Sequence, residues 1–337
     1  MRSPRPATRA DVAAQAGVSL QTVTRVVHDS PHVSEATRDR VHAAMAAVGY
    51  SANTAARALA TGRFGSVGIV ASGLDCFGNI RTVDAITRVA RSYGYATTFA
   101  TVTTPNEHGL RRAVQSLADQ SVDGVVVIEA TALDAPEVHL PTGVPVVMAD
   151  RGPHQTHHVV DIDQAAGARL AVEHLLGLGH RTVHHVTGPA GSHAAARRSQ
   201  AWREALLAAG RPVPAPVAAD WTSRSGYRAG LALAGDPAVN AVFAANDQVA
   251  LGVVRALHEA GRDVPGDVSV VGFDDIDEAG DFWPPLTTVR QDLDRVGTRC
   301  VELLVALMGG AETPTPHSEF VTPELVVRRS TAPPRQG

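Results

Sequence analysis

The stretch Asp11-Val-Ala-Ala-Gln-Ala-Gly17-Val-Ser-Leu-Gln-Thr-Val-Thr-Arg25-Val-Val27 sets the character of the N-terminal part of the chain. A first helix from about Arg9 to Ala16 must stop at Gly17, where a tight turn needs positive φ and a residue without Cβ supplies it. Ser19 offers an N-cap for a second helix through about Val27, whose Val23, Val26 and Val27 recur at helical spacing. The opposite face of that helix then presents Leu20, Gln21, Thr22, Thr24 and Arg25. Gln and Arg can read base edges bidentately in a major groove, and threonine hydroxyls can meet phosphates. An ordinary helical hairpin with a solvated polar face remains the plain alternative. Pro31 breaks the chain, Ser34 caps a third helix from Glu35 to about Val48, and Gly49 ends it. A weaker alanine-rich segment, Asn53–Ala60, is too short and too poor in apolar area to stand alone as a helix.

From Ser66 onward apolar strands alternate with amphipathic helices. Strands are expected at 67–71, 96–102, 124–128, 144–149, 159–162, 182–187, 217–219, 241–244 and 268–273. Helices are expected at 80–93, 110–118, 164–178, 194–209, 225–234, 247–260 and 292–308. Continuous apolar strands joined by helices imply parallel sheets covered on both faces. About nine strands over this length favour two doubly wound lobes over one large sheet, with ligands at the strand ends between them. The expected division is a headpiece at 1–52, a linker at 53–63, a two-lobed unit at 64–330 and a tail at 331–337. Lobe 1 takes about 64–162 and 293–322, and lobe 2 about 163–292 and 323–330.

The 337 residues carry a net charge of −4, but the charge is unevenly distributed. The first sixty residues hold seven arginines (2, 5, 9, 25, 38, 40 and 57) against Asp11, Asp29, Glu35 and Asp39, so this part is positive while the rest is acidic. That asymmetry points to a polyanion at the N-terminal end. The chain has no lysine, so every fixed cation is a guanidinium. Cys76 and Cys300 are too few and too far apart in sequence for a disulfide framework or a paired metal motif. No apolar run approaches a membrane span, and the start of the chain lacks the apolar core of a secretion signal, which together lead to an expectation of a cytoplasmic protein.

The helix–turn–helix stretch resembles the headpiece of the lactose/galactose repressor family of bacterial transcriptional regulators. The similarity continues through Val33-Ser-Glu-Ala-Thr-Arg38, Gly49-Tyr50 and Asn53-Thr-Ala-Ala-Arg-Ala-Leu59-Ala. It runs on through Gly188-Pro189, Ala245-Asn-Asp-Gln-Val-Ala-Leu-Gly252, Asp267-Val-Ser-Val-Val-Gly-Phe-Asp-Asp275 and Pro285-Leu-Thr-Thr-Val-Arg-Gln291, in the family's order. The resemblance implies a small all-α helix-turn-helix headpiece followed by an α/β sensor of two doubly wound parallel-sheet lobes of periplasmic-binding-protein type. It implies that Asn53–Ala60 is a hinge helix formed on DNA, with Asn53 and Ala56 at the DNA and Leu59 wedged into the minor groove. Thr24 departs from the family's usual serine, and Leu20 and Gln21 vary among members, so operator sequence does not carry over. Only ten residues follow Val327, without heptads, so a homodimer on a palindromic double-stranded operator is expected rather than a tetramer.

Seven residues near the ends of the expected strands form a second constellation: Ser72, Asp150, Arg198, Trp221, Asn246, Asp274 and Gln291. Arg and Asn donate, Asp accepts, and Trp221 can lie against a sugar ring, which suits a polyol. By the resemblance these positions hold a small-molecule effector, expected to be a sugar, with Arg198 as its clamp; induction by a sugar and strengthening of DNA binding by a nucleobase co-repressor both stay open. No cofactor or metal is expected. Histidines at 154, 157, 158 and 180, 184, 185 and acids at Asp274, Asp275 and Asp277 raise a metal hydrolase. No HExxH, paired CxxC or nucleophile elbow accompanies them, and adjacent strand residues His184 and His185 must point to opposite faces. A free sugar-binding protein of the periplasm would share the lobes but would not need the headpiece.

Overall fold

The computed structural model describes residues 7–27, 30–50, 62–72, 74, 76–102, 107–128, 140, 143–149, 157–310 and 315–335. The chain divides into two compact units, Met1–Phe64 and Gly65–Gly337.

In the first unit, α1 (Arg9–Ala16) begins with a capping box. The Thr8 hydroxyl accepts from the Asp11 amide, and the Asp11 carboxylate accepts from the Thr8 amide. Gly17 closes α1 in the left-handed region at φ 64°. Ser19 accepts from the Thr22 amide at 3.1 Å and opens α2 (Leu20–Val27), and α3 (Glu35–Val48) completes the bundle. Val12, Ala16, Val23, Val26, Val41 and Ala44 form its core, so the period that places Val23 and Val26 inside turns Leu20, Gln21 and Arg25 outward. Arg9 Nε donates to the Tyr50 hydroxyl at 3.2 Å and ties the last residue of the bundle to its first helix.

The second unit contains two sheets. The first has strand order β10-β5-β4-β3-β1-β2, all parallel, built from β1 (Ser66–Ala71), β2 (Ala96–Thr101), β3 (Gly124–Ile128), β4 (Val146–Ala149), β5 (His158–Ile162) and β10 (Ser318–Val321). Helices α4 (Phe77–Ser92) and α10 (Leu293–Met308) cover one face through Ile86, Ala90, Val301 and Leu304; α5 (Glu107–Asp119) covers the other through Val114 and Leu117. The second sheet has order β11-β9-β8-β7-β6, with β6 (His184–Val186), β7 (Ala241–Ala244), β8 (Ser269–Asp274), β9 (Thr287–Arg290) and β11 (Glu324–Val326). Helices α6 (Gln164–Gly177) and α7 (His193–Ala208) lie on one face, and α8 (Ser223–Ala234) and α9 (Asp247–Glu259) on the other.

The chain crosses between the sheets three times. After β5 and after β9 the crossing residue is an aspartate that caps the next helix: Asp163 accepts from the Ala166 amide and Asp292 from the Arg295 amide. The two share nearly one backbone conformation, φ −71°, ψ 81° and φ −83°, ψ 73°. The third crossing, Thr322-Pro323, leads from β10 straight into β11, which therefore runs antiparallel to β9 in an otherwise parallel sheet.

Three strands escape the apolar-run criterion. In β9 the buried Thr287 and Thr288 are polar by composition but satisfied: Thr288 donates to Asp247 at 2.6 Å and Thr287 accepts from the Arg328 amide. Strands β10 and β11 are short and flank a proline. The expected strand 217–219 is reduced to one bridge, Val186–Val217. Residues 331–335, given to a tail, are instead fastened to lobe 2: Ser269 Oγ and the Ala332 carbonyl and amide bond one another, and Arg335 pairs with Asp267. Among the described residues no helix is long and apolar enough to cross a membrane.

Candidate functional site

Arg198 lies on α7, 4% exposed, with its guanidinium 3.6 Å from the centroid of the Phe273 ring and 5.5 Å from that of Trp221. Its Nε donates to Gln164 Oε1 at 2.8 Å and its NH1 to the Ala245 carbonyl at 2.5 Å. NH1 also stands 3.8 Å from the Asp274 carboxylate. Gln164 donates onward to Gln291, and Gln291 donates to Asp274 at 2.6 Å, closing a ring of side chains from α6, α7, β8 and the end of β9. A buried cation is tolerable only with such partners, because an unpaired one costs several kcal/mol.

Burial pushes Asp274 up to about 6, against the lowering influence of Arg198 and Gln291. It sits at φ 114° and Asp275 at φ 54°, conformations that cost a non-glycine residue roughly 1–3 kcal/mol and persist only where neighbours enforce them. The enforcement is visible. The buried Asp247 accepts from the Ile276 amide just beyond the turn, and the Asp275 carboxylate pairs with Arg290 and Arg328, each at 2.7 Å. Trp221, at φ 70°, packs its ring against Gly188, where a Cβ would come within 2.5 Å of the indole. Asn246 caps α9 by accepting from the Val249 amide and donates its own amide to the Trp221 carbonyl at 3.1 Å.

Arg198, Trp221, Asn246, Asp274 and Gln291 thus line one cleft. Ser72 is not among the lining residues; its carbonyl accepts from the amide of Asn79, which is. Asp150 lies outside the described residues. Sequence reasoning missed Asn79, Asp161 and Gln164, all buried on the cleft wall. Asp161 had a signal, a carboxylate inside the apolar run Val159-Val160-Asp161-Ile162. Gln164 and Asn79 had none, since an amide in the first turn of a helix is ordinary. Of the histidines, His185 is sealed between Phe243 and Trp202, and His158 meets His317 at 3.1 Å between their Nδ1 atoms.

In the first unit Leu20, Gln21 and Arg25 are exposed and Thr22 and Thr24 half-buried. The Thr24 hydroxyl donates to the Leu20 carbonyl at 3.0 Å, and that of Thr22 shares a hydrogen bond with Ser19. The threonine hydroxyls therefore brace the start of α2 in the absence of DNA, while Gln21 and Arg25 are exposed. Asn53, Ala56 and Leu59 lie outside the described residues.

A three-helix unit that presents a polar recognition face, joined in sequence to two α/β lobes around a lined cleft, defines a ligand-responsive DNA-binding regulator. The chain belongs to the lacI family of bacterial regulatory proteins. The pattern of that family matches residues 8–53, and that of the periplasmic binding protein-like domain matches residues 172–331. The chain is 34% identical to the lactose operon repressor of Escherichia coli K12 over 98% of its own length and 92% of the repressor's. It is 37% identical to the HTH-type transcriptional regulator CelR of Thermobifida fusca over 95% and 96%. Among solved structures it is similar to the lac repressor dimer bound to operator and the anti-inducer ONPF, with TM-score 0.84, 32% identity, and 97% and 100% of the two chains covered. It is also similar to the complex of CelR with cellobiose, with TM-score 0.71, 35% identity and the same coverage.

Proposed function

We propose that the chain is a transcriptional repressor that, as a homodimer in the cytoplasm, holds a palindromic operator through its headpieces and lets it go when a sugar fills the cleft. The observation that carries this is Arg198: a buried guanidinium between Phe273 and Trp221, with carboxylate and amide groups converging beside it, suits a ring with apolar faces and hydroxyl edges. Relatives supply the context, since lac repressor is solved as a dimer on operator and CelR with cellobiose. Gln21 and Arg25 read bases, and Leu59 enters the minor groove.

The switch is a linkage. A sugar weakens operator binding only as far as it prefers the lobe arrangement that binds operator less well. A tenfold preference at each of two sites supplies roughly 2.8 kcal/mol, about a hundredfold in operator affinity. The direct test follows the anisotropy of a labelled operator during titration with mono- and disaccharides. Release by a sugar is expected. Tightening by a purine instead would replace induction with co-repression, and no response to either class would remove the cleft from the switch.

A further inference from the structure

Among the described residues that line the cleft there are two carboxylates, Asp161 and Asp274, and one guanidinium, Arg198. The Gln164 amide donates to Gln291, that of Gln291 to Asp274, that of Asn79 to the Ser72 carbonyl, and that of Asn246 to the Trp221 carbonyl and to Gln248. Arg198 directs Nε and NH1 to protein acceptors and stands against Asp274. Asp161, 3% exposed, is on the cleft wall next to the last residue of β5. One of its oxygens accepts from the Ile162 amide at 2.6 Å; beyond that, only the Gln164 side chain and the more distant Arg198 charge favour its ionised form, while Asp163 opposes it. Two buried carboxylates therefore share one guanidinium, and Asp274 is the nearer claimant.

A carboxylate held out of water with so few partners is penalised as an ion, and burial pushes Asp161 up to about 7. A ligand that brings a cation relieves the penalty; one that brings only hydroxyls meets a carboxyl group that must hold its proton or remain undercompensated. We propose that the effector is a sugar bearing a basic nitrogen, its ammonium group received by Asp161 and its hydroxyls by Asp274. This rests on the sugar-responsive reading above and narrows it.

Matched pairs test it by calorimetry on the full-length protein at pH 7: glucosamine with glucose, galactosamine with galactose, mannosamine with mannose, and the β-1,4-linked glucosamine disaccharide with cellobiose. In at least one pair the amine should bind about tenfold tighter or more, with the N-acetylated form falling back to the neutral sugar. In Asp161→Asn, which keeps an acceptor for the Ile162 amide, that advantage should vanish. The wild-type comparison stands whether or not the variant folds, and thermal unfolding reports on the variant. No pair in which the amine wins overturns the inference, and so does an advantage that survives intact in folded Asp161→Asn. Operator release separates the two readings: a neutral sugar that releases operator while its amine does not sinks this inference alone, whereas release by no sugar at all sinks both.

Discussion

The Arg198 guanidinium stands over Phe273, 3.6 Å from the ring centroid, so the positive charge lining the cleft is backed by an aromatic side chain of β8, in the sheet that α7 covers. Its hydrogen-bonding edges are thereby turned to Gln164, the Ala245 carbonyl and Asp274. Truncating Arg198 to alanine strips donors from a desolvated site and leaves these acceptors unpaired, a cost of about 2 kcal/mol or more. Sugar affinity should fall at least ~30-fold. A repressor that still occupies its operator but no longer releases it is the expected phenotype, read by DNA release against sugar concentration; unaltered release would exclude Arg198 from the switch.

Gly188 matters through Trp221. An added Cβ would stand 2.5–2.8 Å from three indole atoms, closer than carbon atoms approach, so the ring must move in Gly188→Ala. The expected result is a tenfold or larger loss of sugar affinity, by roughly 1.4 kcal/mol of lost stacking and fit, with tryptophan fluorescence altered in the absence of ligand. An unchanged spectrum and affinity would show that Trp221 does not pack as described.

Asp161 ties stability to pH. Its folded pKa, pushed by burial from 3.8 to about 7, lies above the unfolded value, so the native state holds an extra proton between about pH 4 and 7. The stability that this proton represents is present at acid pH and is lost as pH rises through about 7. Asp161→Asn has no such proton, so urea unfolding should find its stability relative to wild type rising between about pH 4 and 7 and level above, by roughly 3 kcal/mol between pH 5 and pH 8. A difference independent of pH would count against the buried, undercompensated carboxyl.

Arg25 on α2 is exposed, and we propose that it reads a base edge. Arg25→Ala should weaken the specific operator far more than random DNA, by about 1–3 kcal/mol, and wild-type affinity should fall steeply with salt. Equal losses on both DNAs in a competition binding assay would mean that Arg25 only touches phosphate.

Leu59 belongs to a segment whose sequence is too short and polar to form a helix unaided. Leu59→Ala should lower operator affinity and DNA bending together, measured by gel mobility of circularly permuted fragments. Wild-type bending in the variant would end the wedge assignment.

The headpiece was legible in the sequence because its determinants are local. Gly17 supplies a left-handed turn, Ser19 a cap and Val23–Val26 a one-sided apolar stripe, and all three act within a few residues of themselves. The alternation of apolar strands and helices likewise follows from period and length alone, and with it two largely parallel sheets. The cleft is a different case. Gln164 gains its significance from Arg198 and Gln291, 34 and 127 positions away in hydrogen-bonded pairs, so nothing in its own neighbourhood marks it, whereas Asp161 is marked only by the apolar run around it. Strands β9 to β11 were hidden for the same reason: the threonine hydroxyls of β9 count as polar until Asp247 and the Arg328 amide are beside them. By itself the sequence determined which segments are helical, where most of the apolar strands lie and which face of α2 looks outward. Only the tertiary structure decided which polar groups are partnered and which carboxylate is left to a ligand, because burial and hydrogen-bond supply depend on chain segments that meet only after folding.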